Sequence, residues 1–197
     1  MVRENDLVKI IDQNNKNYEF DKVVIATHAD SAYKMLASPS PEERALLNKF
    51  KYTRNHVILH SDPKLMPKRK AVWASWNFLG STEKNPTVTY WMNHLQSLPD
   101  SLPLFVTVNP TSDIDPNLTH ARFEYAHPVL NSETLNAQKQ LWQIQGHGNV
   151  WFCGSYFGYG FHEDGIQSGL AVAEEIGNIL RPWSVKNHSS RIFRKPI

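Results

Sequence analysis

The spacing of apolar and polar residues predicts a chain that begins with short strands. Two apolar segments, Leu7–Ile11 and Tyr18–Phe20, flank a polar turn cluster at 14–17, which is typical of a hairpin. The run 22–26 is continuously apolar and β-branched, so we expect a strand buried on both faces. Asp30 follows as a candidate N-cap for a short helix.

The middle of the chain predicts an antiparallel sheet between helices. Ser40, Pro41 and Glu43 form a capping-box pattern, which predicts a helix that ends near Lys51. A second helix is expected from Ser132 to about residue 143. Between the two helices, strand-like segments bounded by turn residues lie at 56–60, 71–76, 87–92 and 104–108.

The last third of the chain predicts a strand, a loop and a helix in succession. The apolar segment 149–153 leads into a loop rich in glycine and aromatic residues at 154–161, and a helix from about Asp164 to Leu180 ends before Pro182. This order favours a mixed-sheet domain inserted between two pieces of an α/β domain. We expect the pieces of the α/β domain at 1–38 and 148–182, the inserted domain at 39–147 and a tail at 183–197.

The strand–loop–helix segment is the strongest candidate for chemistry. Glycine lets a backbone approach a ligand closely, and the first turn of a helix offers unpaired N–H groups and partial positive charge. Such a turn suits an anion or the electron-rich side of a reduced flavin. Spacing alone leaves other interpretations open, because the loop aromatics can be core residues and Glu163 and Asp164 can be helix caps.

Two further sequence features concern a possible ligand site at a strand end and the packing of the last helix. Ala26 and Thr27 lie at the carboxyl end of the predicted strand at 22–26, and ligands of open α/β sheets lie beyond such strand ends. A structural strand followed by a turn explains the same pattern. In the last helix, Gly169, Ala173 and Gly177 repeat every fourth residue, which predicts a smooth face for close packing inside a larger protein.

Composition narrows the classes of function. A net charge of +2 gives no basis for a nucleic-acid partner, and the sequence contains no apolar run long enough to cross a membrane. A single cysteine, Cys153, fits a reducing compartment, which predicts a cytoplasmic protein. Six tryptophans, seven tyrosines and nine phenylalanines can build either a core or a pocket for a flat ligand.

The two glycine- and strand-rich segments resemble a known family. The segment 21–30, DKVVIATHAD, looks like the second FAD-contacting segment of flavin-containing amine oxidase-like proteins. The segment 154–169, GSYFGYGFHEDGIQSG, looks like their last one. Further similarity, such as TYWMN at 89–93, is to a bacterial branch associated with cyclopropane-fatty-acid synthases, and it extends over about 6–177.

The resemblance implies a fold and a set of site residues. The implied fold is α/β: a partial Rossmann-like FAD-binding domain interrupted by a substrate domain with a mixed or antiparallel sheet. Phe161, and less strongly Tyr156, correspond to the substrate pocket. No catalytic residue or metal ligand can be assigned. The residues that correspond to FAD contacts are Ala26, Thr27, Gly154, Ser155, His162, Glu163, Asp164, Gly165 and Ile166.

The resemblance also implies an activity, which is hydride transfer from a small-molecule or lipid-like substrate to FAD. The family's G-x-G-x-x-G segment is absent here, so we expect this chain to be the C-terminal part of such an oxidoreductase. A partner chain that carries the N-terminal FAD-binding half is one way to complete it. Two alternatives stay open: a truncated or split-gene product without catalysis, and a module that binds an apolar ligand.

Overall fold

The computed structural model describes residues 1–4, 6–81, 84–184 and 192–194. The predicted tail at 183–197 therefore falls largely outside the described residues. The helices are α1 (Ala29–Met35), α2 (Pro41–Leu47), α3 (Met92–Gln96), α4 (Ser132–Gln138) and α5 (His162–Gly177). The strands are β1 (Val2–Glu4), β2 (Leu7–Ile11), β3 (Asn17–Phe20), β4 (Val23–Ile25), β5 (Tyr52–His60), β6 (Trp76–Ser81), β7 (Lys84–Trp91), β8 (Phe105–Val108), β9 (Thr119–Pro128) and β10 (Val150–Phe152).

The chain divides into two compact units. Unit 1 comprises Met1–Tyr52 and Pro128–Ile197, and unit 2 comprises Thr53–His127. Unit 2 is thus an insertion within unit 1, and each unit has its own sheet structure.

The N-terminal strands of unit 1 form an antiparallel sheet in the order β1-β2-β3. The predicted hairpin is confirmed, since Ile11 pairs with Asn17 and Val8 pairs with Phe20. Its turn is stabilised by Asp12, whose carboxylate accepts the N–H groups of Asn14 and Lys16 at 2.8 and 2.9 Å. This use of an aspartate to close a turn is the ordinary Asx pattern.

Strand β4 pairs in parallel with β10, which follows it by more than a hundred residues. The expectation that β4 is buried on both faces is wrong for this chain. Ile25 is buried, but Val24 on the opposite face is 43% exposed. The apolar pattern was identified correctly, yet the described chain covers that face of the strand only in part.

Of the two helix caps predicted from the sequence, the structure confirms the one on α2 and not the one on α1. The capping box at Ser40 is confirmed, with the Ser40 hydroxyl accepting from the N–H of Glu43, although α2 ends at Leu47 rather than near Lys51. The Asp30 cap is wrong, because His28 occupies the N-cap of α1. Asp30 lies in the first turn and pairs with Lys34 at 3.0 Å, an ordinary i,i+4 ion pair.

Unit 2 contains one five-stranded antiparallel sheet in the order β6-β7-β8-β5-β9. The expected strand at 71–76 is wrong. Lys70–Val72 forms a 3-10 turn, and the strand begins at Trp76. The indole of Trp73 donates to the carbonyl of Pro67 at 2.7 Å and ties this loop back on itself. Strand β9 was not predicted, since its charged residues and histidines hide the alternation.

The last helix, α5, begins and ends slightly earlier than predicted. Asn178 is in the left-handed region with φ of 50° and terminates it, a role that asparagine fills more readily than most residues. The helix buries Ala171 and Val172 against the core of unit 1, which also contains Leu47, Phe50, Phe152 and Phe157. No helix among the described residues has the length and apolar character to cross a membrane.

The C-terminal half of α5 is held by a buried carboxylate. Glu174 accepts a hydrogen bond from Nε of Arg181 and another from Nη1 of Arg194 at 2.7 Å. The hydrogen bond from Arg181 is the main reason that the pKa of Glu174 is lowered from 4.5 to about 2. A carboxyl group with a lowered pKa stabilises the fold above its unfolded pKa and loses this contribution as the pH falls through the folded value.

We predict that the free energy of unfolding falls between about pH 5 and pH 2 by roughly 2–3 kcal/mol through Glu174. Glu174→Gln should lower stability at neutral pH and remove that part of the pH dependence. Glu163→Gln on the same helix is the matched control, since Glu163 is exposed and accepts a hydrogen bond from the side chain of Gln167. Urea unfolding at several pH values measures both, and an unchanged pH slope in Glu174→Gln would contradict the prediction.

Candidate functional site

The loops that follow β4 and β10 meet at one end of the parallel strand pair. Phe152 pairs with Ile25, and the N–H of Cys153 donates to the carbonyl of Ile25 at 3.1 Å. Gly154 comes next, and a Cβ added to it would lie 3.1 Å from the carbonyl oxygen of Thr27. The φ of Gly154 is +153°, a conformation that residues with a side chain rarely adopt. Glycine is therefore required where the two strand ends come together.

Ser168 joins the start of α5 to the same strand ends. Its hydroxyl is buried and accepts the N–H of Gly154 at 3.0 Å. The same oxygen lies 3.1 and 3.0 Å from the carbonyl oxygens of Gly154 and Gly165, either of which can accept its proton. The sequence analysis missed Ser168. Its position one helical turn after Gly165, facing the core, was the available signal.

The first turn of α5 lies against the loop after β10. A Cβ added to Gly165 would be 3.8 Å from the backbone nitrogen of Ser155, an ordinary contact distance. The structure therefore brings together four of the predicted cofactor residues: Thr27, Gly154, Ser155 and Gly165. All four are partly accessible, and the neighbouring Ala26, His162, Glu163 and Ile166 are exposed.

Asp164 has a structural role that the sequence left open. Its side chain is buried, and its carboxylate accepts the N–H of Phe161, the N-cap residue of α5, at 2.9 Å. This is the capping contact expected for an acidic residue at the third helical position. A group at this place can therefore approach the backbone of Asp164, while the side chain is turned inward.

The two predicted pocket residues differ in accessibility. Phe161 is 56% exposed, whereas Tyr156 is 1% exposed and packs edge-on against Phe50, with ring centroids 5.2 Å apart. Burial raises the pKa of Tyr156 well above its ordinary value. Of the two side chains, only Phe161 is available to an external molecule in this structure.

A glutamine that the sequence analysis passed over holds the glycine-rich loop. Gln138, at the end of α4, is buried, and its Nε2 donates to the carbonyls of Tyr156 and Gly158 at 3.0 and 2.6 Å. These two carbonyls belong to loop residues that have no strand partner. The side-chain amide thus supplies the hydrogen bonds that a buried backbone requires.

Unit 2 has a second feature, an apolar sheet face that spans all five strands. Cross-strand partners place Phe78, Val88, Val108 and Val57 in one row of this face. The face is open at its edge, where Trp76 and Phe78 are 62% and 68% exposed. The apolar sheet face comprises Val57, Leu59, Trp76, Phe78, Val88, Tyr90, Val106, Val108, Phe123 and Tyr125.

The opposite face of the same sheet is buried and carries polar side chains beside the apolar Ile58 and Phe105. Thr89 and Thr107 lie opposite each other with their hydroxyl oxygens 2.9 Å apart, and His60 Nε2 lies 2.8 Å from the Thr107 hydroxyl. Burial lowers the pKa of His60. Loops with Leu65 and Ile114 pack against Ile58 on this side. The buried face therefore carries more polar side chains than is usual for an antiparallel sheet.

We predict that Gln138→Ala loosens the loop at 154–161 more than it changes the rest of unit 1. Two buried carbonyls would lose their donor, which costs about 1–3 kcal/mol for each unsatisfied group. Gln140→Ala is the matched control, because the side chain of Gln140 is exposed and donates to the carbonyl of Asn136. Hydrogen exchange should show faster exchange of loop amides in Gln138→Ala alone. Equal protection in both variants would contradict the role of Gln138.

No protein-family model and no curated protein matches this sequence. Solved structures with a similar fold include a CLA-producing fatty acid isomerase from P. acnes. It is 13% identical to this chain with a TM-score of 0.59, and the match covers 90% of this chain and 45% of the isomerase chain. A putative protoporphyrinogen oxidase from Exiguobacterium is 8% identical, with a TM-score of 0.59 and coverages of 89% and 45%. A reduced UDP-galactopyranose mutase is 13% identical, with a TM-score of 0.59 and coverages of 88% and 45%.

This chain thus spans about 45% of the length of each of these structures. At such low sequence identity the likeness shows the fold alone. The predicted fold class is confirmed: an α/β unit with a parallel strand pair is interrupted by a unit with an antiparallel sheet, as in these oxidoreductases and isomerases.

Proposed function

We propose that this chain supplies the flavin-ring side of an FAD-dependent oxidoreductase of the amine oxidase-like type. The observation that carries the proposal is the junction of Thr27, Gly154 and Gly165. There, two parallel strand ends and a helix start come within contact distance of one another. Crevices at the carboxyl ends of parallel strands are where α/β proteins bind ligands.

The residues at this junction fit a flavin. Gly154 and Gly165 carry no side chain, and a Cβ added to Gly165 would lie 3.8 Å from its nearest neighbour outside the helix, the Ser155 nitrogen. The N-terminus of α5 carries partial positive charge, which stabilises negative charge on a reduced flavin by about 0.3–1 kcal/mol at an exposed site. Bound FAD would supply the hydride acceptor. The chain would position the ring through backbone contacts and exclude water with Phe161.

An apolar or lipid-linked molecule is the substrate class that we propose. The support is the apolar sheet face of unit 2, whose uncharged side chains include the exposed Trp76, Phe78, Phe123 and Tyr125. One enzyme of similar fold is a fatty acid isomerase, and another is a putative oxidase of protoporphyrinogen. The closer relation to a branch associated with cyclopropane-fatty-acid synthases remains a hypothesis based on sequence segments such as 89–93.

We further propose that a second polypeptide segment completes the FAD-binding half. Strands β4 and β10 form a sheet of only two strands among the described residues, whereas parallel sheets are normally larger and covered on both faces. Val24 is left half-exposed, and a Cβ added to Gly169 or Gly177 would meet nothing within 4 Å. Additional strands and helices would cover these places and supply the missing ADP-binding part. A reducing, cytoplasmic location is proposed from the single free Cys153.

A second candidate function is binding of an apolar ligand without turnover. The apolar sheet face of unit 2 favours it, since this surface is present whether or not a flavin binds to unit 1. The two functions differ in one measurable property, which is contact between flavin and the residues around Gly154 and Gly165.

We predict that the purified chain contacts FAD weakly and does not retain it. Gel filtration should give colourless protein, because the ADP half of the cofactor has no counterpart at the junction. In excess FAD, nitrogen–proton correlation spectra should shift at Gly154, Ser155, Gly165 and Ile166. Stoichiometric FAD after gel filtration would refute weak binding. Absence of shifts at these four residues would refute the flavin site.

We predict that Gly165→Asp weakens this contact at least about tenfold, or about 1.4 kcal/mol. The added carboxylate would face the electron-rich edge of the flavin, although it suits the start of a helix. Gly169→Asp is the matched control, since it adds the same charge one turn later at a place with no neighbour within 4 Å. Both variants should fold by circular dichroism. Equal FAD titration curves for the two variants would contradict the assignment of Gly165 to the flavin site.

A further inference from the structure

A histidine is enclosed on the buried face of the unit 2 sheet. His60 is the last residue of β5 and is fully buried. Its Nε2 lies 2.8 Å from the hydroxyl of Thr107, which lies 2.9 Å from the hydroxyl of Thr89. Its Nδ1 is buried as well and has no hydrogen-bond partner among the described residues. This part of the chain therefore hydrogen-bonds one of the two ring nitrogens.

Two loops cover this face of the sheet. One, 61–66, follows β5, and the other, 113–118, precedes β9. We call them the cover loops. Leu65 and Ile114 pack from them onto Ile58, which lies two residues before the buried histidine and so on the same face of β5.

The cover loops are tied to each other mainly through backbone groups. The carboxylate of Asp62 accepts the N–H of Lys64 at 2.9 Å and that of Asp115 at 3.1 Å. The N–H of Ser61 donates to the carbonyl of Leu118 at 2.8 Å. A small apolar cluster and hydrogen bonds near the surface are features of segments that open locally while the rest of the fold stays intact.

The groups around His60 determine which form of its ring the closed loops accept. Burial is the largest influence and lowers the pKa of His60, and the nearby His120 acts in the same direction. The carboxylate and backbone of Asp62 act in the opposite direction and do not offset burial. The contacting side chains of β7 and β8 are uncharged: Thr89, Phe105 and Thr107. The closed loops therefore favour the neutral imidazole.

We propose that His60 is an acid-sensitive latch for the cover loops. While the imidazole is neutral, the loops stay closed over it. A protonated ring has a hydrogen on both nitrogens, so the closed state would have to bury a cation beside uncharged groups. Opening the loops to water removes this cost, and acid therefore shifts the equilibrium toward open loops. The latch lies within unit 2 and does not depend on the flavin proposal.

The direction of the pH dependence follows from the lowered pKa. A histidine whose pKa is lowered by folding stabilises the closed state above its unfolded pKa, and this contribution is lost as the pH falls below that value. The opening equilibrium should therefore rise by up to about tenfold for each pH unit below about 6.5.

Hydrogen exchange of the full chain between about pH 7.5 and 5.5 tests the latch. The amides of Ser61, Lys64 and Asp115 are hydrogen-bonded in the closed cover loops and report their opening. After correction for intrinsic exchange, their protection should fall with acid, while the amides of β10 in unit 1 should keep theirs. Constant protection of the three amides over this range would overturn the proposal.

His60→Gln should remove this pH dependence, because glutamine does not titrate. His120→Gln is the matched control, since His120 is exposed and its Nε2 lies 2.7 Å from the Ser61 hydroxyl, so it contacts the same loop. The pH dependence should persist in His120→Gln. Its loss there, with retention in His60→Gln, would contradict the assignment of the latch to His60.

Imidazole NMR signals of the wild-type chain give a readout that needs no substitution. The ring of His60 should take up a proton only together with the loss of protection in the cover loops. A His60 ring that becomes protonated while Ser61, Lys64 and Asp115 stay protected would show that the closed loops accept the cation, and the latch would be refuted.

Discussion

The parallel pairing of β4 with β10 is the constraint on which unit 1 depends. These strands are separated by the whole inserted unit, yet Val23 to Ile25 align in register with Val150 to Phe152. This pairing brings Thr27 to Gly154, and the buried hydroxyl of Ser168 then fixes α5 on the same point. Gln138 supplies the last element by holding the loop between them. The candidate site therefore arises from backbone geometry, with side chains serving mainly to close it.

Sequence reasoning recovered the elements whose signals are local. Three such elements depend on neighbouring residues: the hairpin of Leu7–Ile11 with Tyr18–Phe20, the Ser40 capping box and the strand–loop–helix near the end of the chain. It failed where a tertiary contact decided the outcome. The segment 71–76 has strand-like residues, but the hydrogen bond from Trp73 to Pro67 folds part of it into a 3-10 turn. Strand β9 alternates the charged Arg122 and Glu124 with Phe123 and Tyr125, which are also exposed, so neither face of the strand is buried and its sequence resembles a polar loop.

The candidate site, too, was predicted where its signal is local and missed where tertiary burial decides a side chain's role. Glycines at 154 and 165 marked the places where the backbone had to come close, and the structure brings them together. The roles of individual side chains were harder to predict, because the spacing of residues does not show which side chains are buried. Asp164 turns inward to cap α5, and Tyr156 joins the core although its neighbours Tyr159 and Phe161 are exposed. Flavin binding by these residues stays a prediction, as do the domain assignments and the substrate.

The exposed surfaces of unit 1 explain why we expect the junction alone to bind a flavin weakly. Trp151 and Val24 are register partners on one face of the parallel pair, yet Trp151 is buried while Val24 is half-exposed. The indole of Trp151 donates to Glu175 of α5 at 3.1 Å, so the helix covers β10 but leaves part of β4 uncovered. Ala26 at the strand end is exposed as well, so the proposed flavin site of this chain is open to water. Because charge stabilisation by a helix terminus weakens with exposure to solvent, strong binding requires further structure to exclude water.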